Sequence, residues 1–185
     1  MTTTIKNFGL YGREESTVSP EFFHLVSIDA SCRKHNWVIK PHFHSKLYQF
    51  FFIESGSGDF IFNEKSKPFS GKNVIVMPDN NLHGFQFSED IKGFTLSVSS
   101  YIIDNIVRQD KELGYEINRV RLINMNTNQE DFNYLMRVIN SINRELHTED
   151  VKVDLSVKSL LTLLLVKIFR IQTKEHLENN IPTYF

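Results

Sequence analysis

The chain has 185 residues, 41% of them hydrophobic and 23% charged, and a formal net charge of -1. That length buries one sizeable core with an appendage and is short for two full domains, and the balanced charge leaves no basic field for gripping the phosphates of DNA. Cys32 is the single cysteine, which excludes an intramolecular disulfide, a zinc ribbon or a CxxC redox pair and suits a reducing compartment.

Residues 1–20 are mixed and polar, interrupted by Gly9, Gly12 and Pro20, and read as a mobile or draping arm without the apolar stretch of a signal peptide. From Phe22 onward, runs rich in Phe, Val and Ile follow one another: FFHLVSID, NWVIKPHFH, LYQFFFIE, GDFIFNE, NVIVMP, LHGFQFS and GFTLSVS. Each is bounded by Gly, Pro, Asn, Asp or Ser, an all-β pattern with hairpin-length gaps. ESGSGD and EKSKPFSGKN read as the clearest turns. Such strands close most economically into a small barrel or two-sheet sandwich, assigned here to residues 21–100, with sixteen phenylalanines supplying an aromatic core.

After Ser100 the hydrophobic period changes to about 3.6. YIIDNIVRQDKELG reads as one short helix ending at Gly114, and RVRLINMN as a late strand or connector. A helix over 126–147 puts Phe132, Leu135, Met136, Ile139, Ile142 and Leu146 on one face, with Thr127 or Asn128 as cap and Glu130 and Asp131 in its first turn. A second helix begins near Asp154, taken as its cap, and carries Val157, Leu160, Leu161, Leu164, Leu165 and Ile168 in one stripe. Leu163 and Val166 fall off that stripe, so a second apolar side needs covering, which favours a homodimer built on residues 101–178. Its greasiest run, LLTLLLVKIF, is half the roughly 20 residues of a membrane span, and a cytoplasmic location without membrane contact is expected. HLENNIPTYF stops the helix at Asn179 and Asn180, and residues 179–185 read as the start of a linker.

The chemistry gathers around three histidines. Side chains two apart on a strand share a face, so His42 and His44 point the same way, and Gln49 follows in the next run. If the strand carrying His83, Phe85 and Phe87 is a neighbour, His83 faces the histidine pair across the interior. Three imidazoles and an amide oxygen then surround one point, a donor set for Zn, Ni, Fe or Cu, or alternatively a metal-free hydrogen-bonding cavity lining. Trp37, Phe51, Phe85 and Phe87 are the candidate apolar walls around His42, His44, Gln49 and His83. No carboxylate joins the set, because Glu54 faces away from Gln49 and Asp79 lies in a turn. Arg33 and Lys40 are candidate cations for an acidic ligand. His24, His35, His147 and His176 read as surface or packing residues.

PHFHSKLYQFFFIESGSG together with GKNVIVMPDNNLHG resembles the two motifs of the cupin superfamily. His42 and His44 match its histidine pair, Gln49 its usual glutamate, Gly56 its closing glycine, and Pro78 and His83 the second motif; Asn80 replaces a glycine, a change αL-tolerant Asn allows. HNWVIKPHFHSKLYQ followed by PDNNLHGFQF is similar, more specifically, to the N-terminal domains of AraC-family transcriptional regulators, nearest to a branch sensing 4-hydroxybenzoate or 4-hydroxyphenylacetate. The resemblance implies a mainly β fold, a cupin-like double-stranded β-helix (jelly-roll) barrel followed by two C-terminal α-helices. It implies a non-enzymatic module that binds a small effector, dimerises through those helices, and reaches DNA only through a helix-turn-helix domain that this sequence does not show. Two other readings stay open: a metal-dependent cupin enzyme, dioxygenase or isomerase, and a dimerising fold whose interior is filled by its own phenylalanines.

Overall fold

The computed structural model describes residues 6–7 and 19–179, with no side-chain description for 6–7 and 175–179. The arm over residues 1–20 and the linker at 179–185 therefore fall largely outside the described residues. In chain order the elements are β1 (Lys6–Asn7), β2 (Phe23–Ser27), α1 (Ile28–Cys32), β3 (Val38–Phe43), β4 (Leu47–Ser55), β5 (Ser57–Phe62), β6 (Lys65–Ser70), β7 (Asn73–Met77), β8 (His83–Phe87), β9 (Lys92–Ser99), α2 (Ser100–Val107), α3 (Lys111–Ile117), β10 (Arg121–Asn124), α4 (Gln129–Glu145) and α5 (Val153–Asn179).

The strands form two five-stranded sheets, ordered β1-β3-β8-β5-β6 and β10-β7-β4-β9-β2. The mainly β, cupin-like barrel with two long C-terminal helices is thus the observed architecture. Period-two alternation sorts the phenylalanines of β4: Phe51 and Ile53 turn inward with Ile75 and Met77 of β7 onto Phe60, Phe85 and Phe87 of the other sheet. Phe50 and Phe52 turn outward with Val74, Val76, Leu96 and Val98 onto α2–α5. The unbroken apolar run of β4 follows from this double coverage. Helix α5 buries Val157, Leu161, Leu164, Leu165, Ile168 and Ile171, while Leu155 and Leu163 stay exposed. Among the described residues no helix is long and apolar enough to cross a membrane.

Several local expectations change. KSKPFS within the expected turn EKSKPFSGKN is strand β6, and the turn is Asn63–Glu64, both at positive φ (47° and 62°) without a glycine. FFHLVSID is strand only to Ser27, whose hydroxyl accepts from Ala30 N–H and starts α1. YIIDNIVRQDKELG is two helices, because Asp110 caps a second one by accepting from Glu112 and Leu113 N–H. The segment RVRLINMN supplies β10, which pairs with β7, so the second sheet draws on residues beyond 100. Asn128 stands at the start of α4 without a side-chain capping bond and donates instead to Asp131, and Asp154 lies inside the first turn of α5 rather than capping it.

Candidate functional site

The site begins with an irregularity in β3. The ladder to β8 pairs Ile39 with Phe85 and then shifts before pairing His42 with His83. Pro41, with no N–H to give, sits in that gap. The shift brings His42 beside His83 and leaves His44 just past the strand end. Across the barrel Gln49 of β4 faces the same point. The loop between β7 and β8 closes the arrangement: Asn80, at φ 58°, donates its N–H to the His44 carbonyl at 2.7 Å. The Asn81 amide donates back to the carbonyls of Asp79 (2.9 Å) and Pro78 (3.3 Å).

Backbone carbonyls set the ring tautomers. His83 Nδ1–H donates to Asn81 O at 2.8 Å and His42 Nδ1–H to Lys40 O at 2.9 Å. Both Nε2 atoms therefore carry lone pairs. His42 Nε2 lies 3.1 Å from His44 Nε2, and His83 Nε2 lies 3.2 Å from Gln49 Oε1, whose amide nitrogen donates to Ser97 Oγ at 3.2 Å. His44, Gln49 and His83 are buried. Burial, and then the neighbouring His42, hold His83 down to about 3, and burial lowers His42 as well. At neutral pH His83 is uncharged.

This donor set fits a divalent cation. Ligand nitrogens of His42, His44 and His83 all lie within 4.8 Å of one another, wider than the roughly 3.3 Å that tetrahedral Zn–N bonds require, so the rings would draw together on an ion. His83 is already neutral, so a metal would displace no proton from it.

Below the histidines lies a stack of aromatic rings. His83 and Phe85 centroids are 6.0 Å apart, and Phe85 touches Phe51 (4.7 Å), Phe60 (5.4 Å) and Phe87 (4.9 Å, planes 9° apart). Phe51 and Phe85 thus adjoin the histidine group. Phe87 and Trp37 stand at the other end: Phe87 N–H donates to Trp37 O at 2.9 Å, about 13 Å along the strand from His83. Trp37 is half-buried at φ 56°, and its indole Nε1–H is buried with no acceptor among the described residues. The candidate cations are not drawn in: Arg33 is exposed and paired with Asp29 at 3.0 Å, and Lys40 is exposed.

Ser97, which sequence reasoning passed over, and His24, which it read as a surface or packing residue, belong to the same layer. Ser97 is 1% exposed and pairs with Gln49 on one side and His24 on the other. Gln49, Ser97 and His24 therefore form one row on the inner face of the second sheet. The only signal for Ser97 is the small polar alternation Thr95, Ser97, Ser99 inside an apolar strand.

A family model described as AraC-like ligand binding domain matches residues 30–165. No curated protein sequence matches. Among solved structures, an apo ToxT variant from Vibrio cholerae superposes with TM-score 0.51 at 12% identity, covering 83% of this chain and 57% of that one. ToxT bound to (E)-4-(8-methylnaphthalen-1-yl)but-3-enoic acid gives TM-score 0.41 at 14% identity, covering 80% of this chain and 57% of that one. The Streptomyces protein Pac13, a nucleoside dehydratase, gives 0.29 at 18% identity over 45% of this chain and 63% of its own. This chain spans about 57% of the first ToxT chain's length, and identities this low speak to fold alone.

Proposed function

This chain belongs to the AraC-like ligand binding domain family, and from that premise we propose that it is the effector-sensing and dimerising part of an AraC-family transcriptional regulator. The observation that carries the reading is the meeting of His42, His44, His83 and Gln49 above an aromatic stack. Those four supply the polar end of a small-molecule seat, and Phe51 and Phe85 its apolar wall. Phe87 and the Trp37 N–H, which has no partner among the described residues, meet only an effector long enough to reach the far end of the barrel. A small aromatic acid has the chemistry for the histidine end, its carboxylate toward the imidazoles and its ring on Phe51 and Phe85. In this structure the rings pack on one another, so an effector presses on Phe85 to enter, and that differential contact is what distinguishes two states.

The histidine group would hold Zn, Ni or Fe(II) through His42, His44 and His83, with Gln49 Oε1 as a neutral fourth donor. Such an ion would supply a Lewis-acidic anchor for an effector carboxylate. The role is regulatory rather than catalytic: among the described residues the group contains no carboxylate to serve as acid or base, and an amide stands where cupin enzymes place glutamate. Dimerisation falls to the outer face of α5, where Leu155 and Leu163 are exposed in line with Ser159 and Val166. Contact with DNA belongs to a helix-turn-helix domain beyond these residues, and the working place is the cytoplasm.

Isothermal calorimetry and thermal shift against 4-hydroxybenzoate and 4-hydroxyphenylacetate, each with and without Zn²⁺, Ni²⁺ or Fe²⁺, test the reading. Saturable heat with a raised midpoint is expected. Absent heat and absent shift across the panel overturn it, and consumption of the acid by the metal-loaded protein would make it an enzyme.

A further inference from the structure

The two loops that carry the site converge on one residue outside it. His44 lies on the link from β3 to β4, and His83 follows the loop over 78–82. Both loops reach Ser100, the first residue of α2. Its backbone N–H donates to the Lys46 carbonyl, two residues past His44, at 2.9 Å. Its hydroxyl donates to Asp79 Oδ2 at 2.6 Å, a charge-assisted bond of the short, strong kind. The first N–H groups of a helix have no acceptor within it, so this donation to Lys46 takes nothing from α2. Capping falls to the preceding residue, Ser99, whose hydroxyl accepts from Ile102 N–H at 3.4 Å. Ser99 also faces the other way: its N–H donates to Phe22 O at 3.0 Å and its hydroxyl to Pro20 O, while Glu21 between them pairs with Lys158 of α5 at 2.7 Å.

We propose that Ser100 is a positioning residue of the histidine site, clamping its two loops at the separation where His83 keeps Nδ1–H on Asn81 and turns Nε2 toward Gln49. Asp79 is the other half of the clamp. It moves with Asn80 and Asn81, which hold the His44 carbonyl and His83 Nδ1. Without the clamp the loop over 78–82 is freed from α2, the Asn81 carbonyl drifts, and His83 loses the bond that selects its tautomer. The proposal rests on the sensing role above for the site's use, but its geometry is testable without any ligand. On that role, an occupant of the site pulls on the first residue of α2, and through Ser99 and Glu21 on α5.

Long-range ¹H–¹⁵N spectra of the histidine rings, recorded at pH 7.5 with chelator present, read the tautomer directly. Wild type and Ser100→Thr are expected to show His83 in a single Nδ1–H form. Ser100→Ala is expected to add a second, Nε2–H set of resonances, and Asp79→Ala to do the same from the opposite half of the clamp should the first variant fail to fold. Asp79→Asn, which still accepts from the hydroxyl, keeps the single form. A single Nδ1–H form in the folded alanine variants overturns the proposal even if their thermal midpoints fall, and leaves Ser100 a structural residue only. Failure of the wild type to bind aromatic acids is a separate result that leaves the tautomer readout intact.

Discussion

His83 Nε2 and Gln49 Oε1 face each other 3.2 Å apart across the inside of the barrel. With the Nδ1–H of His83 committed to Asn81, both facing atoms carry lone pairs. Two arrangements relieve the conflict. A cation between them satisfies both, or the Gln49 amide turns over to donate to His83 while its oxygen accepts from the Ser97 hydroxyl.

Gln49→Glu separates the two. A carboxylate cannot donate to His83, but it adds a charged ligand to the histidine group. Divalent-metal affinity should rise about tenfold or more, measured by competition with a chromophoric chelator. In chelator the variant should melt below wild type at neutral pH, and with saturating Zn²⁺ above it. Unchanged affinity would contradict a metal role for this group.

Stability of the metal-free protein should fall as the medium is acidified. Between about 6.5 and about 3 the unfolded chain takes up a proton that folded His83 refuses. The unfolded state binds more protons there, so unfolding free energy rises with pH across that window, by at most about 1.4 kcal/mol per unit for this histidine. Urea unfolding at pH 7.5, 6 and 5 checks the slope. His83→Phe should flatten it and abolish effector and metal binding, while a dimer-only protein would be indifferent to the change.

Phe85 is 1% exposed and touches three other rings. Phe85→Ala should cost about 3 to 5 kcal/mol in urea unfolding by opening a cavity next to the histidines. A loss below about 1 kcal/mol would show that the ring stack collapses into the space.

Leu163 of α5 is 42% exposed. Leu163→Arg should convert a dimer to a monomer in sedimentation equilibrium, with the monomer's own stability changed by about 0.5 kcal/mol or less. Wild-type protein that sediments as a monomer at tens of micromolar would remove the dimer from the proposal.

What could be read from the sequence follows the range of the interactions involved. His42, His44 and Gln49 share a short stretch, which makes them candidates for one site, but the period-two rule alone does not place them: His44 lies past the end of β3 and Gln49 on β4. His83 follows from the paired motifs. The row Gln49, Ser97, His24 could not be read, because it depends on the register of three strands far apart in the chain. Strand β6 was concealed by its own edge position. Lys65, Lys67 and Pro68 are the residues that keep a sheet edge from pairing further, and they look like a turn. The Asn63–Glu64 turn adds no glycine to correct that impression. Helix α1 is five residues long, too short for a helical period to register.

Strand β10 reaches the second sheet only after two helices have been passed, and it covers the flank of β7. Until Arg121–Asn124 arrives, the backbone groups of Asn73–Met77 on that side are an open invitation to another molecule. Barrel and helices should therefore fold in a single step, late and through long-range closure, and a fragment ending at Ser100 should aggregate through its bare edge instead of standing alone as a smaller domain.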